Sequence, residues 1–188
     1  MSDGVRDRMI VGAAELLSRA GVSEASFGKV LAHTGAPRGS VYHHFPGGKD
    51  ELLVESVRYV GGRLLIALRR TEVTRGEDVV IAFAGLFRRL LVASSGPAGC
   101  AVAAVTVEAG GAGPPGSAAG EVFRSWRREL ELLFVRAGSA DSDAQSLAVL
   151  TLAGVEGALV LSRAEDDIAP FDAVVEALVA SVRQLTRG

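Results

Sequence analysis

Apolar residues recur at helical spacing along most of this chain. Ile10, Ala14 and Leu17 stand at i, i+4 and i+7, so residues 4–20 form one apolar helical face. Arg6, Arg8, Glu15 and Arg19 fall largely off that face, and Gly21 stands where a helix end needs a left-handed residue. A short helix follows from Phe27 to Thr34, with Ser26 as its N-cap and Val30 and Leu31 turned inward. Lys29 occupies the place of a capping-box Glu, so the box is absent. Gly35 breaks this helix, and Pro37 at N1 opens another of about two turns, with Val41 and Phe45 anchoring its inner face. Pro46-Gly47-Gly48 stops it.

The pattern then lengthens. From Asp50 to about Arg70, Leu53, Val57, Val60 and Leu64 keep one stripe, and TEVTRGE at 71–77 reads as a loop. Residues 77–94 carry Val79, Val80, Phe83, Phe87 and Leu90 on one face before the break at Ser95–Gly99. The run Cys100–Glu108 is short and small-residued, and pattern alone leaves it open between helix and strand. Ala109–Gly116 has the composition of a flexible linker, either partly disordered or shaping a pocket entrance. Residues 122–137 place Phe123, Trp126, Leu130, Leu133 and Phe134 on an apolar face, with Arg124, Arg127, Arg128, Glu129 and Glu131 opposite. Two last helices, 143–163 and 170–186, carry Leu147, Leu150, Gly154, Ala158 and Leu161, and then Val174, Leu178, Val182 and Leu185. Both are more apolar than one face of a small domain requires, which points to a subunit interface.

Composition narrows this picture. Of 188 residues 48% are hydrophobic but only 5% aromatic, so the core is Ala, Val and Leu and the fold all-α. A net charge of −2 means that any nucleic-acid role rests on local distribution. The local distribution supplies it: no Asp or Glu occurs from Ala25 to Lys49, while Lys29, Arg38, Lys49 and all three histidines do. One cysteine, Cys100, excludes an internal disulfide and gives no metal spacing. A zinc site from His33, His43 and His44 is disfavoured because adjacent histidines diverge on a helix. No signal peptide is visible, and the apolar run Leu147–Leu161, interrupted by Glu156, falls short of a membrane span. A cytoplasmic protein without cofactor or metal is expected.

Two short helices joined by a Gly-containing turn make a helix-turn-helix, whose second helix enters the DNA major groove. Arg38 and Ser40 suit base edges, Tyr42 and Lys49 suit phosphates, and Gly39 lets the backbone approach closely. The string TGAPRGSVYHHFPGGKDELL resembles the DNA-binding segment of the TetR family of transcriptional regulators, and its form resembles the LmrA/YxaF-like branch. GCAVAAVTVEAG resembles a feature of the same branch, where it is helical. Leu31 stands where the family usually has a small residue, and Pro37 replaces a common N-cap Ser.

The resemblance implies a three-helix DNA-binding domain at 1–49 and an effector-binding and dimerisation domain at 50–188, about nine helices in all. It assigns base reading to Arg38, Gly39, Ser40 and His43, and phosphate contact to Ser26, Tyr42, His44 and Lys49. The helix from Asp50 would carry a signal between the domains. Phe83, Phe87, Phe123 and Trp126 either form core or line an apolar effector cavity. Leu147, Leu150, Gly154, Ala158, Leu161, Val174, Leu178 and Val182 would pair with their counterparts in a homodimer reading a pseudo-palindromic operator. Glu156 reads equally as a buried partner across the dimer or a polar hook in the pocket. The expected protein is a ligand-released repressor. The alternatives are an activator, or a helical binding protein or enzyme without a DNA role. The enzyme alternative lacks a nucleophile–base pair, an HExxH or a phosphate-binding loop.

Overall fold

The computed structural model describes residues 3–93, 98–109 and 113–185. Among them the chain is all-α, with nine α-helices. These are α1 (Asp3–Ala20), α2 (Phe27–Thr34), α3 (Val41–His44), α4 (Gly48–Arg69), α5 (Gly76–Ala93), α6 (Ala101–Glu108), α7 (Gly113–Arg136), α8 (Asp141–Glu165) and α9 (Ala169–Leu185). The chain divides into two compact units, one of residues 1–63 and 100–123, the other of residues 64–99 and 124–188. The division falls inside α4 and inside α7.

In the first unit, α1, α2, α3 and the start of α4 close on one small core. Met9, Ile10, Ala13, Val30, Ala36, Val41, Phe45 and Leu52 are buried together, with Phe27, Leu31 and Tyr59 packed against them. Ile10, Ala14 and Leu17 of α1 and the Val41/Phe45 pair are all buried, as their spacing predicts, although Ala14 and Leu17 lie outside this cluster. Ser26 caps α2, its hydroxyl accepting from the Lys29 amide at 3.4 Å, and Gly35 ends the helix at φ 65°. At Gly12 a Cβ would lie 2.3 Å from Thr34 Cγ2, so the α1–α2 crossing leaves no room for a side chain. The buried Ser56 hydroxyl lies within hydrogen-bond reach of two carbonyls, Leu52 of its own helix at 2.8 Å and Ile10 of α1 at 3.2 Å.

In the second unit, α5 and α8 both pack on α9. Two ion pairs join α5 to α9: Arg88 grips Asp172 through two bonds of 2.8 and 3.0 Å, and Arg183 meets the buried Glu77 at 3.2 Å. Asp78 closes the start of α5 by accepting from the Thr74 and Arg75 amides at 3.0 and 2.9 Å, a carboxylate at N3 reaching back to orphan N–H groups. Glu129, expected on a solvated face, is buried and paired with Arg69 at 2.9 Å.

Two local expectations change, and one reading left open by pattern closes as the resemblance implied. Pro37 is extended (ψ 135°) and precedes a 3-10 turn, Arg38–Ser40, so regular α-helix begins only at Val41. A residue before a short 3-10 segment needs no helical ψ, and Pro37 supplies a fixed φ there. The run Cys100–Glu108 resolves as helix, with Ala101, Val102 and Val105 buried. The expected linker ends early: α7 starts at Gly113, and Pro114 and Pro115 sit in its first turn, where a missing N–H costs nothing. Gly110–Ala112, like most of the break at Ser95–Gly99, lies outside the described residues.

Candidate nucleic-acid interface

The exposed end of the first unit is built on buried anchors. Val41 and Phe45, 3% and 0% exposed, hold the inner side of the short third helix. Their burial turns Tyr42 outward to 76% exposure, with its ring edge-on to Phe27 at 6.0 Å. Pro37, Arg38, Gly39 and His43 are exposed on the same stretch, and His44 is half-buried with its ring 5.2 Å from that of His43. A Cβ on Gly28 or on Gly39 would meet nothing within 4 Å, so the backbone there is open to close approach. Phe27, Leu31, Ala36, Val41, Arg38 and Tyr42 line a shallow cavity of about 420 Å³ beside this face. The Ser40 side chain lies outside the described residues. The Ser26 hydroxyl oxygen accepts as the α2 cap, which leaves its O–H free to donate.

The charge pattern differs from its linear appearance. The window is free of acids in sequence, but folding brings acids onto it. Lys29 pairs with Glu24, and His33 meets Glu15 at 2.7 Å. Glu51 accepts from the Gly47 amide at 2.8 Å. Arg6 is also committed, to Glu55 at 2.9 Å and over the Phe45 ring at 5.3 Å. Lys49 is half-buried and donates its ammonium to the Val22 carbonyl at 2.9 Å. Arg38 is exposed and lines the same shallow cavity as Tyr42, so its charge stands open to a partner in solvent.

The expected effector residues are brought together in part. Phe83, Phe87 and Trp126 form an edge-to-face cluster with centroids 5.1, 6.0 and 6.5 Å apart, all within the second unit and all buried. Phe123 is half-buried and belongs to the first unit. Glu156 is half-buried on α8, and the buried Thr151 on the same helix has a hydroxyl without a hydrogen-bond partner among the described residues. Leu90, expected on the α5 inner face, is 52% exposed.

The expected dimer residues divide by direction. Leu150 and Leu161 are exposed, at 45% and 47%, and Gly154 and Val174 are intermediate. Leu147, Ala158, Leu178 and Val182 face inward and are at most 6% exposed. The exposed apolar row of α8 is Val149, Leu150, Ala153, Gly157, Val160, Leu161 and Ala164. The stripe read from sequence straddled this row and the buried one, because a helix apolar all round gives spacing no preferred face. Length and composition alone would let α8 cross a membrane, contrary to the shorter run read from sequence. Its inward face is taken up by packing in the second unit.

Comparison with known proteins agrees with this geometry. Residues 9–55 match the family model for bacterial regulatory proteins of the tetR family. Residues 77–177 match the model for the C-terminal domain of transcriptional regulators described as LmrA/YxaF-like. An uncharacterised helix-turn-helix-type transcriptional regulator of Mycobacterium tuberculosis is 38% identical over 177 residues, covering 91% of this chain and 90% of the relative. The helix-turn-helix-type regulator LmrA of Bacillus subtilis is 25% identical over 88% of this chain and 90% of its own length. Among solved structures, a TetR transcriptional regulator from Chloroflexus aurantiacus aligns with a TM-score of 0.78 at 25% identity, covering 97% of this chain and 96% of that one. One from Legionella pneumophila aligns at 0.83 and 18% identity, covering 93% and 95%.

Proposed function

This chain belongs to the TetR family of bacterial regulatory proteins, and from that premise we propose that it is a homodimeric, cytoplasmic repressor of the LmrA/YxaF-like branch, released from its operator by a small apolar or aromatic molecule. The observation that carries the DNA-reading part is the outward Tyr42 with exposed Arg38, Gly39 and His43, all held by the buried Val41 and Phe45. A helix so anchored fits a major groove, with Arg38, Gly39, Ser40 and His43 toward base edges and Ser26, Tyr42, His44 and Lys49 toward phosphates.

One such head carries little free positive charge, and phosphate neutralisation dominates affinity for DNA. Two heads are therefore needed. The exposed row on α8, with Val160 at 66% and Leu161 at 47%, supports a second copy as the cover for that face. Burying a large aliphatic side chain contributes up to about 1.5–3 kcal/mol, less for one already half covered. In this assignment residues 1–49 read DNA and residues 50–188 bind effector and partner. The aromatic cluster of Phe83, Phe87 and Trp126 is the proposed apolar wall for the effector.

The test is a mobility shift on the DNA upstream of the chain's own gene. Wild type should retard that DNA, while Arg38→Ala and Tyr42→Ala should each weaken binding by roughly tenfold or more, the loss of about 1–3 kcal/mol expected for a base or backbone anchor. Both variants should melt within a few degrees of wild type, because both side chains are exposed. Undiminished binding by both variants would remove the third helix from the interface.

A further inference from the structure

We propose that Glu108, the last residue of α6, is a positioning residue for DNA binding: its carboxylate fixes the α1–α2 turn and, through that turn, the Lys49 ammonium. The inference rests on Lys49 as a phosphate contact and adds the group that sets where its charge stands.

The geometry is a chain of two hydrogen bonds within the first unit. Glu108 Oε1 accepts from the Val22 amide at 2.8 Å. The carbonyl of the same residue accepts from Lys49 Nζ at 2.9 Å. Val22 lies just beyond the end of α1, where Gly21 turns the chain at φ 81°, so its amide points away from the helix ladder and takes its partner from α6. The carboxylate reaches it by passing over Gly21, and a Cβ there would lie 2.1 Å from Glu108 Oε1. Gly21 is therefore required twice, by its positive φ and by the approach of the carboxylate.

An ammonium has three N–H donors. One directed at Val22 leaves two for a phosphate and holds the charge at one position on a half-buried stem. Hydrogen bonds to an ionised acceptor are short and directional, so a displacement of α6 by about an ångström lengthens the Glu108 bond beyond usefulness. The Val22 carbonyl is then held only by its local turn, where the Ala25 amide donates to it at 3.3 Å, and the acceptor for Lys49 is no longer fixed from α6. Glu108 stands at the end of a helix that packs on α1, so the turn follows α6.

The experiment is the salt dependence of affinity for the upstream duplex, measured by fluorescence anisotropy in wild type, Lys49→Met, Glu108→Gln, Glu108→Ala and Glu108→Ala/Lys49→Met. Losing one phosphate contact per head should lower the slope of log K against log salt by about 1 for each head. Lys49→Met should show that drop. Glu108→Ala should reproduce much of it, with affinity lowered about three- to tenfold at low salt. Glu108→Gln removes the same charge but keeps an acceptor oxygen, and should lie close to wild type. The double variant should be no worse than Lys49→Met alone.

A merely structural role for Glu108 would reduce the active fraction equally at every salt concentration and leave the slope unchanged. That result, or additive losses in the double variant, overturns the proposal while the Lys49 assignment stands. An unaltered slope in Lys49→Met overturns the assignment itself, and the positioning role with it.

Discussion

At the scale of single residues, the basic window around α2 and α3 loses part of its charge to neighbours. Lys29 and Arg38 look alike in the sequence, yet Lys29 pairs with Glu24 while Arg38 is exposed beside Tyr42. An exposed ion pair is worth at most about 1 kcal/mol to stability, but it does neutralise a cation that DNA would otherwise meet. Lys29→Ala should accordingly bind the upstream DNA within about threefold of wild type, well short of the loss in Arg38→Ala, where one phosphate or base contact is worth about 1 kcal/mol or more. Equal losses in a side-by-side titration would mean that the Glu24 pair opens on DNA. The residues of the motif were legible because Val41, Phe45, Gly35 and the Ser26 cap obey local rules of burial and capping. Their electrostatic partners were not, because Glu15 reaches His33 across 18 positions and Glu108 reaches Val22 across 86.

At the scale of elements, periodicity located the long helices well and failed where a helix has no polar side or a break has two prolines. α8 is apolar on nearly every face, so spacing could not choose between the buried row and the exposed one. Pro114 and Pro115 read as a linker, yet proline suits a first helical turn. Side-chain pairs between elements lie beyond such patterns, and those joining α5 to α9 have a testable consequence. The Arg88 hydrogen bond, followed by its charge, holds the Asp172 carboxyl below its ordinary value of 3.8. Glu77 is lowered first by its own backbone amide and then by Arg183 and Arg75, against the opposing effect of burial. A carboxyl with a depressed folded-state pKa stabilises the fold above its ordinary pKa, and that contribution fades as pH falls through the folded value. Thermal stability should therefore hold from neutral pH to about pH 5 and decline below about pH 4. Asp172→Asn should lower the melting temperature modestly at pH 7 and less at pH 3. An equal loss at both pH values would show that the pair contributes nothing through its charge.

At the scale of the whole molecule, the proposed repressor needs a second copy. Among the described residues one head presents the exposed Arg38, the half-buried Lys49 and one short helix, which is little against the counterion competition that governs protein–DNA affinity. The exposed row of α8 gives a second copy a face to cover, and α9 adds small exposed residues, Ala173, Ala177 and Ala180, that allow close helix approach. Leu161→Asp would place a charge in the C-terminal part of that row. It should shift the chain from dimer to monomer in sedimentation velocity and weaken operator binding, while leaving the head's own core of Met9, Val30 and Phe45 untouched. A dimer that survives this change would put the interface elsewhere. Hydroxyl-radical footprinting of the wild-type chain on its upstream DNA would show whether a symmetric pair of reading heads occupies one operator. Two protected patches related by two-fold symmetry are expected, centred about 34 Å or a multiple of it apart on one face of the duplex. A single unpaired patch, or uniform protection without symmetry, would contradict that pairing.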